Sequence, residues 1–161
     1  MLDQEALYLA LDAQRRSRGL SWQAVADTIG VNASTIARVR QGGMLEADGV
    51  LAMVRWLGRT PESFTAARRS APRGMAAGDR RTSGNYLRVD TRALHATLEA
   101  ARASRGLTWQ QVAREVSATL PVSGAMLTRL SRGGRVTIDV ALALAGWLGR
   151  TVESLTRPSK T

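Results

Sequence analysis

The chain repeats itself. Residues 2–65 align with residues 89–156 over their whole length, with one four-residue insertion in the second copy. Trp22-Gln23 recurs as Trp109-Gln110, and Gly42-Gly43 as Gly133-Gly134. The run Trp56-Leu57-Gly58-Arg59-Thr60 returns letter for letter from Trp147 to Thr151. Solenoid periods run to roughly 20–50 residues, so a unit this long is a small domain rather than a solenoid turn. A domain of that size buries only about 60% of the surface its unfolded chain exposes, which makes each copy marginal by itself. The expected division is residues 1–66, a connector over 67–88, residues 89–157, and a tail from 158 to 161.

Composition narrows the chemistry. The chain has no cysteine and a single histidine, His95, so neither a thiolate site nor a histidine-based metal site is expected. No apolar run approaches the ~18 residues of a membrane span, and the acidic start (Asp3, Glu5) is unlike a signal peptide. A cytoplasmic setting, in a bacterial cytoplasm or nucleoid, is the expectation, and the missing cysteine fits it. Net charge is +10, with 22 of the 23 basic residues arginine. A GC-rich genome accounts for that bias; arginine is also the better bidentate ligand of phosphate and guanine. The excess is uneven. Residues 1–65 carry seven Arg against seven Asp and Glu, residues 66–91 six against two, and residues 92–156 eight against four. Such a balance favours a polyanionic partner, nucleic acid first.

Within the first copy, Leu7 and Leu11 recur at helical spacing over residues 5–18, and Gly19 stops that helix. Ser21 caps a second, with Val25, Ala26 and Ile29 inward and Gly30 at its end. Asn32 caps a third that carries Ile36 and Val39, and Gly42-Gly43 closes it. A fourth spans about 46–57, and Thr60-Pro61-Glu62-Ser63 starts a short fifth. No alternating β-branched run is present, so the expected class is all-α. Two short helices joined by Gly30-Val31-Asn32 pack steeply and leave the polar face of the second outward.

Leu20-Ser21, Val25-Ala26, Ile29-Gly30-Val31-Asn32, Ser34-Thr35-Ile36, Arg38-Val39 and Gly42 together resemble the phage-repressor/Cro-type helix-turn-helix family, also called the xenobiotic-response-element class. The resemblance covers about 55 residues of each copy. It implies two tandem five-helix, lambda-repressor-like domains joined by an Arg-rich linker. It further implies a double-stranded DNA-binding transcription regulator, a repressor of phage or bacterial type, whose second motif helix enters the major groove.

The same resemblance assigns candidate contacts. At the start of the motif's first helix, Trp22 and Gln23 face backbone phosphate, as do Trp109, Gln110 and Gln111 in the second copy; the alternative for both Trp is packing across the helix start. Trp56 and Trp147 are expected in the core. Ala33, Ser34 and Thr35 match base-reading positions, with Asn32 as cap and phosphate contact. Arg38 lies one turn further and reaches guanine or phosphate, while Arg40 and Gln41 suit the backbone. Arg15, Arg16 and Arg18 end the first helix, where they complement its dipole or touch phosphate. In the second copy Ser123 is the cap and Gly124, Ala125 and Met126 take the base-facing places, with Thr128 beside them. Three readings of this surface stay open: contact with thymine methyls, charge-only binding through Arg129, Arg132 and Arg135, or a protein interface.

The connector is rich in Arg, Ala, Gly and Ser. About 22 flexible residues give an end-to-end distance of roughly 26 Å, against about 34 Å between successive major grooves. Arg68, Arg69, Arg73, Arg80 and Arg81 either track phosphate and minor groove or serve as a solubilising run. Because the two reading surfaces differ, a monomer on an asymmetric site is expected. The alternative leaves DNA to one copy and gives the other to a protein partner or to dimerisation. No phosphate loop, nucleophile set or carboxylate cluster points to an enzyme, and no cofactor is implied. Glu62 and Glu153 recur beside helix starts, where negative charge complements the dipole.

Overall fold

The computed structural model describes residues 1–65, 86–118 and 120–159. The first copy forms α1 (Gln4–Ser17), α2 (Trp22–Ile29), α3 (Ala33–Gln41), α4 (Ala47–Trp56) and a 3-10 turn over Pro61–Phe64. The second opens with strand β1 (Tyr86–Val89) and continues through α5 (Thr91–Ser104), α6 (Trp109–Val116) and α7 (Gly124–Arg129). A 3-10 turn (Leu130–Arg132), α8 (Ile138–Leu148), a second 3-10 turn (Glu153–Leu155) and strand β2 (Thr156–Ser159) complete it. The chain is mostly helical, as its periodicity predicts.

One expectation needs correction, and the all-α class, with which the structure is compatible, needs an addition. The fifth helix of each copy is a single 3-10 turn. The all-α class also omits an antiparallel ribbon in which Tyr86 pairs with Ser159 and Val89 with Thr156. Residues 86–88, expected in the connector, and residues 158–159, expected in the tail, belong to it. Four-residue strands are too short to show alternation, and Pro158 argues locally against one, although an edge strand tolerates it.

The helices follow from their caps and apolar stripes. Asp3 accepts from the Ala6 amide at the start of α1, and Asp90 from Ala93 at the start of α5, each at 3.0 Å. Leu7, Leu11, Leu94 and Leu98, spaced one turn apart, are fully buried. The start of each first helix also anchors the loop that ends the third. Gln4 Nε2 donates to Gly43 O at 2.9 Å, and Thr91 Oγ1 to Gly134 O at 3.3 Å. α8 is apolar almost all round, which suits a central helix.

One hydrophobic core runs through both copies, and a pseudo-twofold seam joins them. The amides of Ala47 and Ile138, first residues of α4 and α8, have no partner within their own helices. Each is satisfied by the opposite copy: Ala47 N donates to Val136 O and Ile138 N to Leu45 O, both at 2.9 Å. Glu46 and Thr137 thereby form an antiparallel bridge. The next residues repeat the exchange with side chains. Asp48 accepts from Val89 N at 3.0 Å, and Asp139 from Leu2 N at 2.7 Å. Arg135 adds an ion pair to Glu46 at 3.1 Å.

One departure from the symmetry has a covalent reason. Glu62 Oε1 accepts from Val152 N across the seam at 2.7 Å. The matching bond from Glu153 would need the amide of Pro61, and proline has none.

Candidate nucleic-acid interface

α2 and α3 are held by few residues. Ser21 Oγ accepts from Ala24 N to start α2, whose inward side is Val25, Ala26 and Ile29. Gly30 then takes a left-handed conformation, φ 78°. Glycine enters this region without steric cost, and the reversal lets the Val31 amide bond back to Ala26 O at 3.1 Å. Asn32 is extended and begins α3, but its side chain makes no capping hydrogen bond. Ile36 and Val39 are buried, which turns Asn32, Ala33, Ser34, Ala37, Arg38, Arg40 and Gln41 to the surface. Thr35 is the exception within the expected reading triplet. It is half-buried, with its methyl facing Gly49 of α4. Gln23 is exposed and donates to Asp27 at 3.0 Å.

The tryptophans at the starts of α2 and α6 sit in matching sandwiches. Trp22 stacks on Tyr8 with ring centres 5.2 Å apart, and the Arg15 guanidinium lies 4.9 Å from its centre. Trp109 stacks on His95 at 5.0 Å under Arg102 at 5.3 Å. Each arginine is fixed from behind. Arg15 pairs with Asp12 and donates to Leu20 O at 2.9 Å; Arg102 pairs with Glu99 and donates to Leu107 O at 2.6 Å. The Arg102 hydrogen bond holds the Glu99 carboxyl below its ordinary range and raises the guanidinium in turn. Arg16 pairs with Asp12 at 2.9 Å. Arg18 lies over Trp56 and Arg105 over Trp147. These arginines at the helix ends brace the fold. Trp56 is buried as expected, but Trp147 is only half-buried and donates its indole N–H to Glu115 at 2.7 Å.

The second copy presents a different surface. Ser117 clamps its longer turn, donating to Val122 O at 2.9 Å and accepting from Val122 N at 3.0 Å. Ser123 caps α7 by accepting from Met126 N. Gly124 faces the backbone of Trp109 and Gln110, where an added Cβ would lie 3.7 Å away. α7 spans six residues against nine in α3 before tightening into its 3-10 turn. Gln110, Ala125, Met126, Arg129 and Arg132 are exposed.

Three expected contacts have other engagements here. Gln111 completes a capping box with Thr108: its side chain accepts from Thr108 N at 2.7 Å, while its amide donates to Thr108 Oγ1. Thr128 bonds back to Gly124 O at 2.9 Å. Arg135 is drawn to Glu46 of the first copy.

Arg68, Arg69, Arg73, Arg80 and Arg81 lie outside the described residues. No described helix is long and apolar enough to cross a membrane. Comparison of the chain with protein-family models, curated proteins and solved structures gives no match.

Proposed function

We propose that the chain is a sequence-specific double-stranded DNA-binding transcription regulator, a repressor of phage or bacterial type acting in the cytoplasm. On this reading α2–α3 and α6–α7 are two non-identical helix-turn-helix units that read an asymmetric operator as one monomer. The observation that carries it is the outward face of α3, where Ser34, Arg38, Arg40 and Gln41 stand exposed behind a glycine-closed turn while Ile36 and Val39 lock the helix to the core. Such a face suits major-groove hydrogen bonding, and the +10 net charge supplies phosphate attraction. The seam joins the two units through a shared core and paired backbone hydrogen bonds, which fits a fixed half-site spacing better than a flexible tether does.

In-vitro selection of bound DNA from a random pool, at two salt concentrations, tests the proposal. A motif of two dissimilar half-sites that persists at high salt is expected. Steep salt loss with no motif would leave only charge-driven binding and reject sequence reading.

One observation favours a second reading, in which only the first copy reads bases. The face of α7 offers Ala125 and Met126, without hydrogen-bonding side chains, and Arg135 is held by Glu46. The second copy would then serve as a protein-interaction or dimerisation module. Because the copies share a core, surface substitutions separate these readings better than truncation does. Arg129→Ala with Arg132→Ala weakens specific binding several-fold if both copies hold DNA, and leaves it intact if the second is an adaptor.

A further inference from the structure

The seam contains a cavity of about 330 Å³, lined by Glu62 and Thr65 of one copy and by Leu142, Ala143, Gly146 and Arg150 of the other, among others. That lies at the small end of the roughly 300–1,000 Å³ typical of small-molecule sites. Three departures from the pseudo-twofold create it. On the opposite side, β1 packs over α4 and leaves Leu51 fully buried, whereas Leu142, its counterpart, keeps 9% of its surface exposed and lines the cavity. Gly146 stands where α4 carries Arg55, with open space above its Cα. Leu120, which forms one wall, comes from the insertion that only the second copy possesses.

Its polar groups are of opposite sign. Glu62, in the lining, spends one oxygen on Val152 N; the other, Oε2, is sealed from solvent and has no hydrogen-bond partner among the described residues. Arg150 is exposed at the rim and supplies a planar guanidinium. Between them, Leu120, Leu142 and Ala143 form an apolar surface. A carboxylate in the lining, a guanidinium suited to carboxylate at the rim and an apolar surface between them are complementary to one kind of molecule.

We propose that this cavity binds a small zwitterion of the amino-acid type with an apolar side chain. The ligand ammonium donates to Glu62, the carboxylate pairs with Arg150, and the side chain lies on Leu142 and Ala143. Glu62 and Asp139 both line the cavity and both hold amides across the seam, so an occupant contacts the groups that set how the copies pair. Occupancy then adjusts the spacing of α3 and α7; that regulatory step alone rests on the function proposed above.

The test is an amide-resolved NMR titration of the intact chain, without DNA, using L-leucine as probe. Leucinamide, which lacks the carboxylate, and 4-methylpentanoate, which lacks the ammonium, serve as controls. Saturable shifts at Glu62, Gly146 and Arg150 with leucine, at least tenfold weaker with either control, are expected. Glu62→Gln, which keeps an acceptor for Val152 N but removes the charge, should weaken binding at least tenfold. Gly146→Leu should abolish it by filling open space in a helix that tolerates leucine. Absence of saturable shifts, equal response to the three probes, or unchanged binding by Gly146→Leu would overturn the assignment. If leucine binds but leaves the affinity of a selected DNA unchanged, the site stands and its regulatory role is rejected.

Discussion

At the scale of single residues, exposure separates side chains that work outward from those that hold the fold. Arg38 and Arg40 are exposed on α3, so their truncation should leave stability within about 0.5 kcal/mol of the parent. Their effects on DNA should differ in kind. Arg38→Ala should cost about 1–3 kcal/mol on the preferred sequence and relax choice at one base pair. Arg40→Ala should weaken all sequences alike and lower the salt slope by about one. Fluorescence anisotropy on matched and mismatched duplexes at several salt concentrations distinguishes the two; a uniform loss with Arg38→Ala would remove it from base reading. Glu99 makes a prediction about pH. Its carboxyl titrates lower when folded because Arg102 hydrogen-bonds it. The folded state thus holds fewer protons than the unfolded one, and the contribution is present above the unfolded value and lost as pH falls through the folded one. Glu99→Gln should lower the melting temperature slightly near neutrality, where the contribution is present, and converge with the parent in acid, so that its fall below about pH 4 is flatter; calorimetry across pH would record both. The brace containing Glu99 was only half legible. Arg15 and Arg102 repeat, as do the tryptophans they cover, but a repeat does not say which faces meet. The sandwiching of Trp22 and Trp109 depends on Tyr8 and His95, two positions that share no residue identity.

At the scale of elements, the helices were legible where a cap, an apolar stripe and a stop coincide. Ser21, Val25-Ala26-Ile29 and Gly30 delimit α2 in both sequence and structure. The ribbon was not legible, because β1 and β2 owe their pairing to each other and to α4 rather than to local preference. Gln111 is the instructive case. Its neighbourhood suggested phosphate contact, yet Thr108-Trp109-Gln110-Gln111 has the spacing of a capping box, a signal present in the sequence all along. Thr108→Ala should therefore cost about 1 kcal/mol of stability without altering affinity per folded molecule. A fall in affinity at unchanged stability would return Gln111 to the interface. Gly30→Ala places a Cβ in a left-handed turn, at a cost of roughly 1–2 kcal/mol. Because that turn sets α3 against α2, specific DNA binding should decline along with the melting temperature.

At the scale of the whole molecule, the seam decides what kind of repeat this is. The sequence suggested two domains on a flexible tether, since nothing local reveals that the first amides of α4 and α8 seek carbonyls in the opposite copy. The pairing also favours unlike copies over like ones. Glu46 meets Thr137 and Arg135 across the seam, whereas two first copies joined the same way would set Glu46 against Glu46. Exposed pairs such as Arg135–Glu46 contribute only about 0–1 kcal/mol, so most of the coupling must come from the shared core. The consequence is that both copies unfold as one unit. Leu51 lies in α4 and is fully buried, and Leu51→Ala should cost about 2–5 kcal/mol. Hydrogen exchange read by mass spectrometry locates that loss. In a single cooperative unit, amides of α5 and α8, in the copy that does not contain the substitution, lose protection to the same extent as those of α1 and α4. If α8 instead keeps its parental protection while α1 opens, the copies are independent domains that merely touch. A fixed spacing between α3 and α7 would then have no structural basis.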